Sequence, residues 1–216
     1  MPIGQRMALR NWRKGLGDKA AQVQEDVKER GKNFHSLIEC FATGKGTEVL
    51  KICDRPEMKE YLSHALPILK HLRTGETMLT EAQVYSYQHE YAGTLDMLAW
   101  FPNPSRIVLL DWKTSNKVKG REHCDHHFLQ LSAYSQALKE TYNIKVFGAT
   151  VCIFYSFQAP TIFSLNPDEL LGWFDKFQER LKEFRIKKNP LSDEAFEAYY
   201  EQFKSKSNVN APGRES

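Results

Sequence analysis

The chain has 216 residues, 41% hydrophobic and 26% charged, with a formal net charge of +3. That is the make-up of an ordinary globular protein with length enough for a sizeable core. So small a bulk charge excludes non-specific polycation chemistry, and any affinity for nucleic acid must come from local placement of charge. The four cysteines, Cys40, Cys53, Cys124 and Cys152, are widely spaced and form no C-x-x-C pair. That pattern argues against a disulfide framework and against a zinc ribbon, and for a reducing, intracellular setting. No apolar run reaches the roughly 18 residues of a membrane span, and the first residues lack the apolar centre of a secretory signal. Residues 1–17 carry arginines and no acid, a bias shared with mitochondrial transit peptides.

In chain order, residues 5–42 read as helix interrupted near residues 15–17 by Gly15 and Gly17. The second piece carries Val27, Phe34, Leu37, Ile38 and Phe41 at helical spacing. A further helix is expected from Pro56 towards Leu72, with Met58, Tyr61, Leu62, Ala65, Leu66 and Leu69 on it and Pro67 inside it. Residues 78–87 and 90–100 are rich in β-branched, aromatic and aliphatic residues and flank a polar turn at Gln88 and His89. Residues 106–113 follow the Pro102-Asn-Pro-Ser105 turn and open on an apolar run from Ile107, as expected for a central strand buried on both faces. These three segments predict an antiparallel meander.

A polar loop covers residues 114–123, and residues 125–142 predict a helix with Phe128, Leu131, Tyr134 and Leu138 on one stripe. Strands are expected at 146–157 and 161–165. Asn166-Pro-Asp-Glu169 reads as a capped helix start, and that helix should run to about residue 187. Pro190 stops it, a last helix is expected at 192–204, and residues 205–216 read as a disordered tail. There is no internal repeat. The whole predicts an α/β fold with a mixed central sheet of about five strands flanked by helices. Residues 1–204 are expected to form one domain, with a helical insertion at about 44–76.

The chemistry concentrates at the end of the third strand, Asp111-Trp-Lys113. Side chains alternate along a strand, so Asp111 and Lys113 face one way and Trp112 the other. A carboxylate and an ammonium closing an apolar strand are costly to desolvate unless paired or liganded. Asp96 ends its own apolar run, and if the two strands are antiparallel neighbours it approaches Asp111. Two readings stay open on these residues alone: a structural salt bridge, or a site for a cation.

Gly93-Thr-Leu-Asp96, a hairpin, and Leu110-Asp-Trp-Lys-Thr114 together resemble the core of the PD-(D/E)XK nucleases, restriction-endonuclease-like in fold. Leu95 stands where the pattern has proline. Arg30-Gly-Lys-Asn-Phe-His35 before the sheet and Gln130-Leu-Ser-Ala-Tyr134 after it are similar to motifs of the RecB-like branch. The likeness extends to the mitochondrial genome maintenance exonucleases and small phage exonucleases. It covers about residues 9–187, with Leu9, Trp12 and Arg13 among its features. Some RecB-like relatives hold an iron–sulfur cluster through four cysteines near the chain end. The cysteines here are not so arranged, and no cluster is expected.

What the resemblance implies is a metal-dependent DNA exonuclease, monomeric, preferring single-stranded DNA with a free end. It would serve replication, repair or recombination beside the proteins of those processes. The setting would be a phage-infected cytoplasm or the mitochondrial matrix. Hard divalent ions, Mg²⁺ or Mn²⁺, are the expected cofactor, held by Asp96, Asp111 and the carbonyl of Trp112, with His35 and Glu81 as further donors. Lys113 would stabilise negative charge, and Gln130 would position Lys113 or the attacking water. Tyr134, His35, Thr114, Ser115 and Lys117 would contact substrate. A structure-selective endonuclease and a catalytically silent nucleic-acid-binding subunit are the alternatives. The cluster His123-Cys-Asp-His-His127 does not suit zinc, since consecutive loop residues cannot all reach one tetrahedral ion. Asp125 is expected to cap the following helix, with the histidines near phosphates or solvent. Lysines and Tyr61 of the insertion are expected to track and stack on a threaded strand.

Overall fold

The computed structural model describes residues 10–11, 14–15, 17, 19–72 and 75–188. The chain divides into two compact units between Phe174 and Asp175. Among the described residues, helices α1 (Lys19–Ala42), α2 (Gly46–Cys53) and α3 (Pro56–Leu72) come first. Strands β1 (Glu76–Ser86), β2 (Tyr91–Pro102) and β3 (Ser105–Thr114) follow. A single 3-10 turn at Arg121–His123 leads into α4 (Asp125–Tyr142), β4 (Gly148–Phe154), β5 (Thr161–Leu165) and α5 (Pro167–Lys188). The sequence features at Leu9, Trp12 and Arg13, the stop at Pro190, the helix at 192–204 and the tail at 205–216 lie outside the described residues.

The strands form one mixed sheet in the order β1-β2-β3-β4-β5. The first three are an antiparallel meander, β4 lies parallel to β3, and β5 is antiparallel to β4. A parallel neighbour needs a crossover connection, and α4 supplies it. β4 is buried almost throughout, as a strand covered on both faces must be.

Two cores follow from that covering. On one face Leu95, Leu98, Leu109, Val151 and Ile153 pack against Phe128, Leu131 and Leu138 of α4. On the other, Met97, Ala99, Leu110, Trp112 and Phe154 meet Phe34, Leu37 and Ile38 of α1 and Met58, Tyr61, Ala65 and Leu69 of α3. The alternation of Leu109 with Leu110 and of Asp111 with Trp112 is thus a division between helical layers. At α5, Asn166 Oδ1 accepts from the Glu169 N–H and Glu169 Oε2 accepts from the Asn166 N–H, each at 2.9 Å. This is a reciprocal capping box with proline at the first helical position. The helix continues into the second unit, residues 175–188 being its described part.

Several expectations change. The insertion, expected to be helical, includes the eight-residue α2, whose Val49, Ile52 and Cys53 pack partly buried against the second core. The residue at the cap of α4 is Cys124, and Asp125 is the first helical residue, where its charge still favours the helix dipole. β4 is shorter than 146–157. The insertion is not loose either. Tyr61 is 1% exposed, with its ring 5.7 Å from that of Phe34, so it cannot stack on a base. An amphipathic stripe such as that of α3 needs an apolar partner, and the sheet is that partner.

Candidate active site

The hairpin register sets the geometry. β2 and β3 pair Met97 with Leu110 and so on to Pro102 with Ser105, and the same register places Asp96 opposite Asp111 at the open end of the ladder. β1 and β2 pair Thr80 with Met97 and Ala82 with Leu95, which sets Glu81 opposite Asp96. Three carboxylates therefore stand side by side across neighbouring strands. Glu81 has φ of +45°, a left-handed conformation that a non-glycine residue adopts at a cost and that clusters at functional sites. Where the ladder opens, the Asp96 side chain replaces it: Oδ2 accepts the Trp112 N–H at 2.7 Å.

Lys113 closes this group. Its Nζ lies 2.7 Å from Asp111 Oδ1, 3.1 Å from the Trp112 carbonyl and 3.5 Å from Asp96 Oδ2. Burial alone would lower its pKa, but Asp111 and Asp96 outweigh that and raise it. Lys113 is therefore charged. Asp111, 2% exposed, is pushed up to about 6 by burial, against the pull of Lys113. Its second oxygen, Oδ2, is buried without a hydrogen-bond partner. Like charges crowded in a dry place need a counter-charge.

His35 reaches the group from α1, whose Phe34 and Leu37 anchor it in the core. Its Nε2 lies 2.8 Å from the Trp112 carbonyl, and its Nδ1 lies 3.3 Å from Glu81 Oε1 and 3.8 Å from Asp96 Oδ1. One donor atom each from His35, Glu81 and Asp96 falls within 4.8 Å of the others. Adding Asp111 and the Trp112 carbonyl gives a mainly oxygen donor set with one imidazole, which fits a hard divalent cation. The carbonyl and aspartate oxygens already converge on one positive centre, the Lys113 ammonium.

Of the remaining predicted residues, Gln130 and Tyr134 sit on α4 one turn apart, and Gln130 Nε2 donates to Tyr134 Oη at 2.9 Å. Gly93 passes directly beneath the Tyr134 ring: a Cβ there would meet Tyr134 Cε1 at 2.4 Å. Gly93→Ala should therefore lower stability by about 1–3 kcal/mol through overpacking, seen as a fall of several degrees in Tm. An unchanged melting curve would show that the ring gives way freely. Thr114 ends β3. Ser115 uses its hydroxyl within the loop, donating to the Lys117 carbonyl and accepting from the Lys117 N–H, and Lys117 is exposed.

The histidines of the 123–127 cluster are expected near phosphates or solvent, and one of them departs from this. His127 turns inwards, its side chain 14% exposed and its Nδ1 3.7 Å from Asp111 Oδ2. Burial drives its pKa down to about 3, so the ring is neutral. The signal was available: His127 precedes Gln130 by three residues and so shares its helical face. His123 and His126 are exposed, as expected.

With this geometry in place, the family comparison decides the identity: the model of the PD-(D/E)XK nuclease superfamily matches residues 9–210. The chain belongs to that superfamily. A PD-(D/E)XK nuclease acts on nucleic acid and uses divalent metal, and the donor set above suits one. Solved structures similar to this nuclease include a proposed exonuclease of Eubacterium rectale, with 10% identity over 85% of this chain and 76% of that one and a TM-score of 0.46. The protein SSO0001 has 17% identity over 85% and 83% of the two chains, with a TM-score of 0.36. No curated protein sequence matches. Among the described residues no helix is long and apolar enough to cross a membrane.

Proposed function

We propose that this nuclease is a DNA exonuclease acting on single strands with a free end, with Mg²⁺ or Mn²⁺ as cofactor. The observation that carries the reading is the rung of Glu81, Asp96 and Asp111 facing a single ammonium, Lys113. Three carboxylates and one ammonium leave two negative charges, which a divalent cation balances. Asp96, Asp111 and the Trp112 carbonyl would hold the ion, with His35 and Glu81 completing the set. When bound, it supplies charge neutralisation at the scissile phosphate and activation of the attacking water.

The chain's own groups do the rest. Lys113 stabilises the negative charge that builds on the phosphate. Tyr134 fixes Gln130, whose amide oxygen is left to orient the ammonium or the water. Thr114, Ser115 and Lys117 form the loop nearest the strand end, and the Lys117 charge attracts the phosphate backbone. The preference for free-ended single strands is supported by the order of motifs from His35 to Tyr134, which resembles that of small RecB-like exonucleases. The protein would work as a monomer within the cell, in replication, repair or recombination.

A structure-selective endonuclease is the second reading, and one observation favours it: α3 is a fixed wall of the core, so the described insertion does not oblige a strand to thread. A timed digest separates the two. Linear single-stranded DNA, labelled at either end, should be consumed in Mg²⁺ and spared in EDTA. Covalently closed single-stranded circles should persist. Circles cut as fast as linear strands would establish the endonuclease instead, and the order in which the two labels are lost gives the polarity.

A further inference from the structure

We infer that His127 is a positioning residue for Asp111, its Nδ1–H holding carboxylate oxygen Oδ2 while Oδ1 is presented to the cation site. The inference rests on the reading of Asp111 as a metal ligand and extends it. Two buried polar atoms lack a hydrogen-bond partner at this spot, Asp111 Oδ2 and His127 Nδ1, and they face each other across 3.7 Å. Buried polar atoms in native proteins are nearly always satisfied, and each of these is the other's nearest solution. Were Nδ1 unprotonated, two lone pairs would oppose one another, so the proton belongs on Nδ1 and Nε2 is the acceptor.

The gap is longer than a hydrogen bond, and roughly half an ångström of movement closes it. Asp111 is held on its other side by Lys113, whose Nζ is 2.7 Å from Oδ1. Once a cation takes that oxygen, the carboxylate is free to turn, and only a contact at Oδ2 fixes its plane. His127 is suited to this because its backbone is rigid: it lies in the first turn of α4, next to Phe128, which is 1% exposed in the core. The exposed His126 ring lies against it at 3.8 Å between centroids. A donor placed behind a ligating carboxylate orients it, and removing such a partner commonly costs 10–100-fold in metal affinity.

Calorimetric titration with Mn²⁺ tests this on four full-length proteins: wild type, His127→Leu, His127→Asn and Asp111→Asn. His127→Leu, which has no donor, should bind about 10–100-fold more weakly while the metal-free protein melts close to wild type. His127→Asn places an amide N–H where Nδ1 stood and should recover most of the affinity, which a merely space-filling role would not produce. Leucine binding like wild type, or asparagine binding as weakly as leucine, overturns the assignment. Should the leucine variant not fold, His127→Gln replaces it: its amide extends past the Nδ1 position, so affinity equal to that of asparagine counts against the proposal. Asp111→Asn guards the underlying reading. If it titrates like wild type, Asp111 is not a ligand and both fall; if it loses binding while leucine does not, only the role of His127 falls.

Discussion

Lys113→Ala is expected to slow cleavage by about 10²–10³-fold, equivalent to about 2.7–4 kcal/mol of barrier, while Mn²⁺ binds as tightly as before or more tightly. The two effects have one cause. The ammonium sits among the carbonyl and carboxylate oxygens that a cation would use, at 2.7–3.5 Å from them. Removing it deletes the positive charge that faces the reacting phosphate, yet also removes a competitor for the donor set. The metal-free variant should be less stable than wild type, because buried carboxylates without a counter-charge are costly, and Mn²⁺ should restore much of the loss. Rates are therefore compared in saturating Mn²⁺, where both proteins are folded. A variant that cuts at nearly the wild-type rate would remove Lys113 from the chemistry and leave it a structural counter-ion.

How much of this was legible depended on how each contact is encoded. The approach of Asp96 to Asp111 was written in the hairpin: a two-residue turn between Pro102 and Ser105 fixes the register, and counting back along it sets the two aspartates opposite each other. The place of Glu81 was not. The turn between β1 and β2 is longer, and the left-handed backbone at Glu81 has no sequence mark. Tyr61 was misjudged although its pattern was visible, since a tyrosine on a stripe with Met58, Ala65 and Leu69 belongs to the core by period alone. His127 was misjudged because the run of histidines around it was weighed as a zinc site and set aside. The helical face it shares with Gln130 was the better guide. The alternation at the end of β3 was read in full, because period-2 geometry leaves no freedom.

Asp111→Asn is expected to abolish the stabilisation that Mn²⁺ gives the wild-type protein while leaving the metal-free protein no less stable. For the wild type, a ligand at a hundredfold excess over its Kd adds about 2.7 kcal/mol, or roughly 5–10 °C in Tm for a chain of this size. The asparagine variant should show no such rise, since a neutral amide is a poor ligand for a hard cation. Its metal-free form is a separate matter. Breaking a buried ion pair normally destabilises by leaving one charge alone, but here Lys113 keeps Asp96 at 3.5 Å and its side chain is 26% exposed. Against that loss stands the relief of crowding among three carboxylates on neighbouring strands, the most buried of which is the one removed. Burial weighs more on the Asp111 carboxylate than the pull of Lys113 does, and a neutral amide escapes that cost, so the metal-free Tm should stay level or rise by a few degrees. Asp96→Asn should also lose the response to Mn²⁺, and its amide oxygen can still accept the Trp112 N–H that Asp96 Oδ2 accepts at 2.7 Å. Differential scanning of both variants, with and without Mn²⁺, reads all four quantities. A wild-type Mn²⁺ response in both variants would reduce Asp96, Asp111 and Lys113 to a structural salt bridge at the end of β3.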